Sequence, residues 1–145
     1  MEIEILKATK ADTDGISRLE GMCFNHPWTK DDILSSFDNS TVFFIAKCEG
    51  KIVGYLGMQI TLDGGFITNV AVDTEFRRQG IASKLIEALT HFCESQSIAT
   101  ISLEVRRSNL PSQQLYLKLG FINVGVRKNF YRDPKEDAII MTKQV

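Results

Sequence analysis

A chain of 145 residues with 43% hydrophobic and 24% charged residues carries enough apolar material for one packed core and lacks the low-hydrophobicity signature of disorder. Its formal charge of −1 at pH 7 removes the electrostatic case for general affinity toward nucleic acid. One domain over residues 1–145 is therefore expected. Cys23, Cys48 and Cys93 are odd in number, widely spaced and without a C-x-x-C pair, which argues for buried, reduced thiols and against a disulfide framework or a zinc site. The start "MEIEILKATK" has no basic segment followed by an apolar one, and nowhere do about eighteen apolar residues run together. A cytoplasmic protein without membrane contact is the expectation.

Ile3 to Lys7 alternates apolar and charged residues as a half-buried strand does, and polar caps then precede Ile16, Leu19 and Met22 at helical spacing. In "PWTKDDILSSF", Thr29 stands three residues before Asp32, an acidic capping box that opens a short helix carrying Ile33, Leu34 and Phe37. "TVFFIAKCEGKIVGYLGMQI" reads as two antiparallel strands joined through Glu49, Gly50 and Lys51, a three-residue connection. "GGFITNVAV" is a further strand. From Gly80 the spacing becomes helical, with Ile81, Leu85, Leu89 and Phe92 on one face and Ala82, Ile86 and Cys93 beside them. "ATISLEV" is a strand, and "NLPSQQLYLKLG" a helix with Pro111 in its first turn and Gly120 at its C-cap. "FINVGVR" and "DAIIMTK" close as strands, with "RKNFYRDPKED" as the loop between them. The order β α α β β β α β α β β implies an α/β layer fold in which helices cover a central sheet and one helix bridges a parallel strand pair.

The stretch "VAVDTEFRRQGIASKLI", Val70 to Ile86, runs an apolar strand into an acid, two arginines and a glycine that opens a helix. A helix N-terminus leaves backbone N–H groups unpaired and carries partial positive charge, so it attracts phosphate oxygens, and Gly80 lets the main chain come close. Arg77, Arg78 and Gln79 add donors. An exposed helix start that binds nothing is the plain alternative. Neither G-x-x-x-x-G-K-[ST] nor G-x-G-x-x-G is present, which argues against nucleoside triphosphates and NAD. "RRQGIA" resembles the R/Q-x-x-G-x-G/A signature of the GNAT superfamily of acyl-CoA-dependent N-acetyltransferases. "HPWT" at 26–29, "LEVRRSN" at 103–109, "LYLKLGF" at 115–121 and "EDAIIM" at 136–141 resemble, in order, motifs of the bacterial ribosomal-protein N-terminal alanine acetyltransferases. The resemblance covers nearly the whole chain. It implies the GNAT fold, a mixed and mostly antiparallel sheet of about seven strands flanked by about four helices, with acetyl-CoA as co-substrate. It also implies that the backbone of Val70, Ala71 and Val72 holds the pantetheine arm and acetyl group. Arg77, Arg78, Gln79, Gly80, Ile81 and Ala82 would hold the pyrophosphate, and Asn109 the cofactor beyond it.

Acetyl transfer from a thioester to an amine needs a neutral nucleophile, stabilisation of an oxyanion and a proton for the departing thiolate. An α-amino group titrates near about 8 and a lysine near about 10.4, so neutralising the lysine near pH 7 costs roughly 3 kcal/mol more. A modest base suffices for an N-terminus. Glu104 lies on the opposite face of its strand from Leu103 and Val105; paired with an arginine such as Arg106, it would be an ordinary glutamate on an open sheet. Tyr116, beside Leu115 and Leu119, reads by itself as a packed ring with its hydroxyl at the surface. The resemblance implies a role for each. Glu104 becomes the general base, directly or through water, and Tyr116 the general acid toward the coenzyme A thiolate. It also implies an oxyanion donor among the backbone N–H groups of "NVAV". No cysteine has a partner base in a motif, so direct attack in a ternary complex is expected.

His91 reads as a surface residue, and Trp28 as either a lid over the acceptor or an anchor in the core. The resemblance implies a tyrosine pair near the incoming peptide, where this chain has Phe130 and Tyr131; Ser112 and Gln113 also depart from the family pattern. The expected activity is acetylation of the N-terminal alanine of a small-subunit ribosomal protein by a monomer without nucleic-acid contact. Acetylation of a lysine or small amine is one alternative, and an acyl-CoA sensor without turnover is another.

Overall fold

The run Val42 to Ala46 is apolar at every position because its strand is covered on both faces, in a fold described for residues 2–145 by a computed structural model. The elements are β1 (Ile3–Lys7), α1 (Thr13–Cys23), α2 (Lys30–Phe37), β2 (Thr41–Cys48), β3 (Lys51–Thr61), β4 (Gly64–Val72), α3 (Ile81–Ser95), β5 (Thr100–Arg106), α4 (Leu110–Lys118), β6 (Ile122–Tyr131) and β7 (Glu136–Gln144). Seven strands form one sheet in the order β1-β2-β3-β4-β5-β7-β6. Every neighbouring pair is antiparallel except β4 and β5, which are parallel and bridged by α3. The expected α/β architecture is the observed one.

Alternation along β2 sends Val42, Phe44 and Ala46 into a core with Leu85, Ile86 and Leu89 of α3, and sends Phe43 and Ile45 into a second core with Ile16, Leu19 and Ile33. Tyr116 and Phe121 join the α3 side, so α3 and α4 cover one face while α1 and α2 cover the other. Leu85, Ile86 and Leu89 have no exposed surface, and truncating any one to alanine would cost about 2–5 kcal/mol.

Three local expectations are corrected. The β2–β3 connection holds two residues, not three: Cys48 pairs with Lys51, and Glu49 and Gly50 both take positive φ, 50° and 80°. That is the twist a two-residue hairpin turn needs between right-twisted strands. On α1 the inward positions are Thr13, Ile16, Leu19 and Glu20, while Met22 is 43% exposed. A buried carboxylate therefore stands where an apolar count puts a methionine. The third correction concerns "RKNFYRDPKED", where β6 runs on to Tyr131 and β7 begins at Glu136. Because β6 is an edge strand that is mostly exposed, it has no apolar alternation to read. Arg106 closes the short turn, donating through Nη1 to Pro134 O at 2.9 Å and through Nη2 to Arg132 O at 3.0 Å.

Glu49 occupies a left-handed conformation that asparagine tolerates better than glutamate. Glu49→Asn, which creates the Asn-Gly hairpin dipeptide, is expected to raise the unfolding free energy by about 0.5–1 kcal/mol in urea melts with an unchanged slope.

Candidate active site

β4 and β5 pair at Gly65 with Ile101 and at Phe66 with Ser102, and at no later position. Opposite Gly57 and Met58 of β3, Thr68 is an extra residue in β4, a bulge of the kind that bends its strand. Beyond it the two strands separate, and the β5-facing edge of β4 from Asn69 to Val72 has no strand partner. Two cavities open into this gap.

The first is about 580 Å³ and is lined by Val70, Ala71, Val72, Arg77, Arg78, Gly80, Ile81, Ala82, Asn109 and Tyr116, among others. Of the residues expected to hold the cofactor, only Gln79 is outside this lining. Gly80 is the N-cap of α3 at φ 77°, and a Cβ built there would meet nothing within 4 Å, so its requirement is conformational and its free side faces open space. The first bond of the helix runs from Lys84 N–H to Gly80 O at 3.0 Å, leaving the N–H groups of Ile81, Ala82 and Ser83 without intrahelical acceptors. Arg77 does not point along these amides. Its Nε donates to Val72 O at 3.2 Å and its Nη2 lies 3.7 Å from Cys23 Sγ, so its side chain braces the loop against β4. Asp73 fixes the start of that loop: Oδ1 accepts from Glu75 N–H at 3.0 Å and Oδ2 contacts Arg18 Nη1 at 3.2 Å. The Glu75 N–H and then Arg18 and Lys51 hold its carboxyl below the usual range against the opposing effect of burial. Asn109 uses Oδ1 to accept from Ser112 N–H at 3.2 Å, which caps α4.

The second cavity is about 610 Å³ and is lined by Glu20, His26, Trp28, Asn69, Glu104, Tyr116, Phe130 and Tyr131, among others. The two cavities share Cys23, Phe24, Val70, Asn109, Ser112 and Tyr116, so they meet at one wall. Of these two cavities, Glu104 lines the second and not the first. Its Oε2 lies 2.6 Å from Nε of Arg127, a residue of β6, yet that buried oxygen receives no aligned hydrogen bond. The contact is an ion pair by distance with a poorly directed donor. Arg106, the partner suggested by the sequence, is instead committed to Glu136 at 3.2 Å and to the β6–β7 turn.

Tyr116 is 9% exposed, its ring packed 5.8 Å from that of Phe121, and it lines both cavities. Burial pushes its phenol up to about 12. Tyr131 is also raised to about 12, first by burial and then by the charge of Glu104, with Arg106, 4.4 Å from its ring, opposing the shift. Trp28 packs against the α1–α2 core, as an anchor would, and also lines this cavity. His26, exposed at the rim, sits 2.9 Å from Asp133 Oδ2 and spans from the α1–α2 loop to the β6–β7 turn. His91 is a surface residue at 81% exposure. Glu20, Tyr55 and Asn69 were not singled out from the sequence. The one available signal was that Glu20 is four residues after Ile16, on the inward stripe of α1.

Residues 13–121 match the acetyltransferase (GNAT) family. The chain belongs to that family. The GNAT acetyltransferase of Escherichia coli (strain K12) named [ribosomal protein bS18]-alanine N-acetyltransferase is 37% identical over 117 residues, 79% of each chain. The crystal structure of the ribosomal-protein-S18-alanine N-acetyltransferase from Escherichia coli superposes with a TM-score of 0.92 at 32% identity, covering 99% of this chain and 94% of that one. Ard1 from Thermoplasma volcanium has a TM-score of 0.89 at 26% identity, covering 100% and 99%. Acetyl-CoA is the co-substrate of GNAT acetyltransferases, and the helix-start amides and open β4 edge fit its pyrophosphate and pantetheine arm. Among the described residues, no helix is long and apolar enough to cross a membrane, and no His/Cys/Asp/Glu group could hold a metal.

The three tyrosines of this GNAT protein are all raised above the ordinary phenol value, Tyr55 and Tyr116 by burial foremost. An unfolded chain loses these protons near about pH 10 while the folded one keeps them, so the stabilisation is complete below about pH 10 and is lost as pH rises toward 12. Absorbance at the tyrosinate band is expected to stay flat up to about pH 10 and then rise together with loss of helical circular dichroism. A normal titration midpoint with intact circular dichroism would contradict the buried environments.

Proposed function

We propose that this acetyltransferase, a monomeric cytoplasmic enzyme working as a single domain over residues 1–145, transfers the acetyl group of acetyl-CoA to an N-terminal α-amino group. The acceptor is the N-terminal alanine of a ribosomal protein of the bS18 type, as the names of its relatives indicate for those proteins. The observation that carries the mechanism is the meeting of two cavities at Tyr116, one with helix-start amides and the other with Glu104.

Acetyl-CoA supplies an activated thioester. Amides of Ile81, Ala82 and Ser83 bind its pyrophosphate, with Gly80 permitting the close approach, while Arg77 holds the loop in shape. The open edge of β4 from Val70 to Val72 receives the pantetheine, and a backbone N–H of this segment faces the developing oxyanion. Glu104 takes the proton released as the α-amine attacks the carbonyl carbon, directly or through water. Arg127 constrains one oxygen of Glu104 and leaves the other for this task. Tyr116, kept protonated by burial, gives its proton to the sulfur as the C–S bond breaks. The thiolate forms beside the same partly desolvated wall, where its proton affinity rises as well, so the transfer stays workable despite the weakened phenol. Half-buried Cys23 borders both cavities, and its hydrogen-bond partners among the described residues are Val72 O and Arg77, neither of them a base, which favours direct transfer over an acyl-cysteine.

The test incubates the protein with acetyl-CoA and peptides beginning with alanine, each with an internal lysine, and locates acetyl by mass spectrometry. Label on the α-nitrogen is expected; label on lysine would replace the acceptor assignment. Glu104→Gln is expected to lower kcat/KM by about 10²-fold or more, as loss of a general base does. Tyr116→Phe is expected to lower kcat by about tenfold or more with the coenzyme A dissociation constant within about twofold. Unchanged turnover in Tyr116→Phe would reject its role as acid.

A further inference from the structure

Glu20 is a carboxylate with 1% exposure, placed in the wall of the acceptor cavity by the inward stripe of α1. Its Oε1 accepts the backbone N–H of Trp28 at 2.8 Å. Its Oε2 accepts the Tyr55 hydroxyl in a short hydrogen bond and Asn69 Nδ2 at 2.8 Å. Three donors converge on the two oxygens, the arrangement that an ionised, acceptor-only carboxylate requires. Among the described residues no Lys, Arg or His forms an ion pair with it. Burying an anion without a counter-ion is costly, and hydrophobic packing of the same volume would stabilise the fold as well or better.

We infer that Glu20 is a positioning and charge-selecting residue of the acceptor cavity, holding Trp28 and Asn69 in its walls and drawing in the acceptor as an ammonium before Glu104 takes its proton. The two carboxylates line the same cavity, one from α1 and one from β5. Glu104 already has Arg127 within 2.6 Å, which offsets its charge toward an incoming cation. Glu20 has no such neighbour, and in a water-poor wall its field is weakly screened. Tyr55 lies behind it with no exposed surface, and burial together with the bond to Glu20 keeps the proton on the phenol. Tyr55 is therefore the donor and Glu20 the acceptor of that hydrogen bond. Asn69 links this cluster to the site directly, because it stands immediately after the bulge of β4 and at the start of the open edge.

This inference rests on the reading of the cavity as the acceptor site, and its test separates the two. Coenzyme A-loaded protein is titrated by calorimetry with an alanine-initiated peptide and with its N-acetylated twin. Wild type is expected to prefer the free amine, and Glu20→Gln, which keeps the shape and the bond to Trp28, to lose that preference by about tenfold. In turnover assays the same variant raises KM for the amine by about tenfold, with kcat and coenzyme A affinity within about threefold. Tyr55→Phe removes a donor but leaves the charge, and is expected to lower thermal stability while keeping the amine preference. Should Glu20→Gln lose coenzyme A binding through misfolding, Glu20→Asp decides, since it retains the charge and must retain the preference. An unchanged preference in Glu20→Gln, or its loss in a coenzyme A-binding Glu20→Asp or Tyr55→Phe, would overturn the inference. If wild type acetylates only a lysine or a small amine, the α-amino reading falls, and the same KM comparison on that amine still decides the role of Glu20.

Discussion

The separation of β4 from β5 is the constraint on which the site depends. Two residue pairs near Gly65 hold the strands together, and past the bulge at Thr68 the main chain of β4 runs without a partner on that side. An open edge inside a sheet leaves polar backbone groups that must be satisfied by something other than protein strands. Because the connection is a parallel crossover, the chain leaving β4 must climb into α3 at the same place, which delivers the helix N-terminus to the mouth of the gap. Two sources of unpaired backbone amides thus converge, and both suit an elongated molecule with amide and diphosphate groups.

The two cavities divide the electrostatic work by different means. The cofactor side presents positive character through backbone: the first turn of α3, made possible by Gly80 at φ 77°, with Arg77 braced against Val72 O as structural support. The cavity of about 610 Å³ carries the carboxylates of Glu20 and Glu104 beside Arg106 and Arg132, and each carboxylate is held by groups drawn from elements far apart in sequence. Tyr116 occupies the wall that the two cavities share, and its burial keeps the phenol protonated.

Much of the fold was legible because its signals are local. Gly80 followed by Ile81, Leu85 and Leu89 announces a helix start, and Thr29 with Asp32 announces a capping box whose Asp32 N–H to Thr29 Oγ1 bond of 3.1 Å is present. Glu104 and Tyr116 were legible as candidates through motifs, and both line the same cavity. Glu20 was not, since within "SRLEGMC" a glutamate next to a glycine reads as solvent-exposed until Tyr55 and Asn69 are brought beside it. The Glu104 partner was misjudged for a similar reason. Arg106 is two residues away in sequence on the same face, but β6 lies beyond β7 and brings Arg127 across.

Beyond the acid and base candidates, which came from the resemblance of their motifs to the family, the chain by itself determined the run of elements and the anion-attracting turn at Arg77–Ala82. Each depends on residues within one turn or one strand, where periodicity and capping act without distant help. What only the tertiary structure decided was the burial of Glu20 and of Tyr116 and the ion pair on Glu104. Those properties belong to contacts across the sheet, between groups 49 positions apart in the case of Glu20 and Asn69, and a polar residue has no fixed ionic character until its neighbours have excluded water from around it.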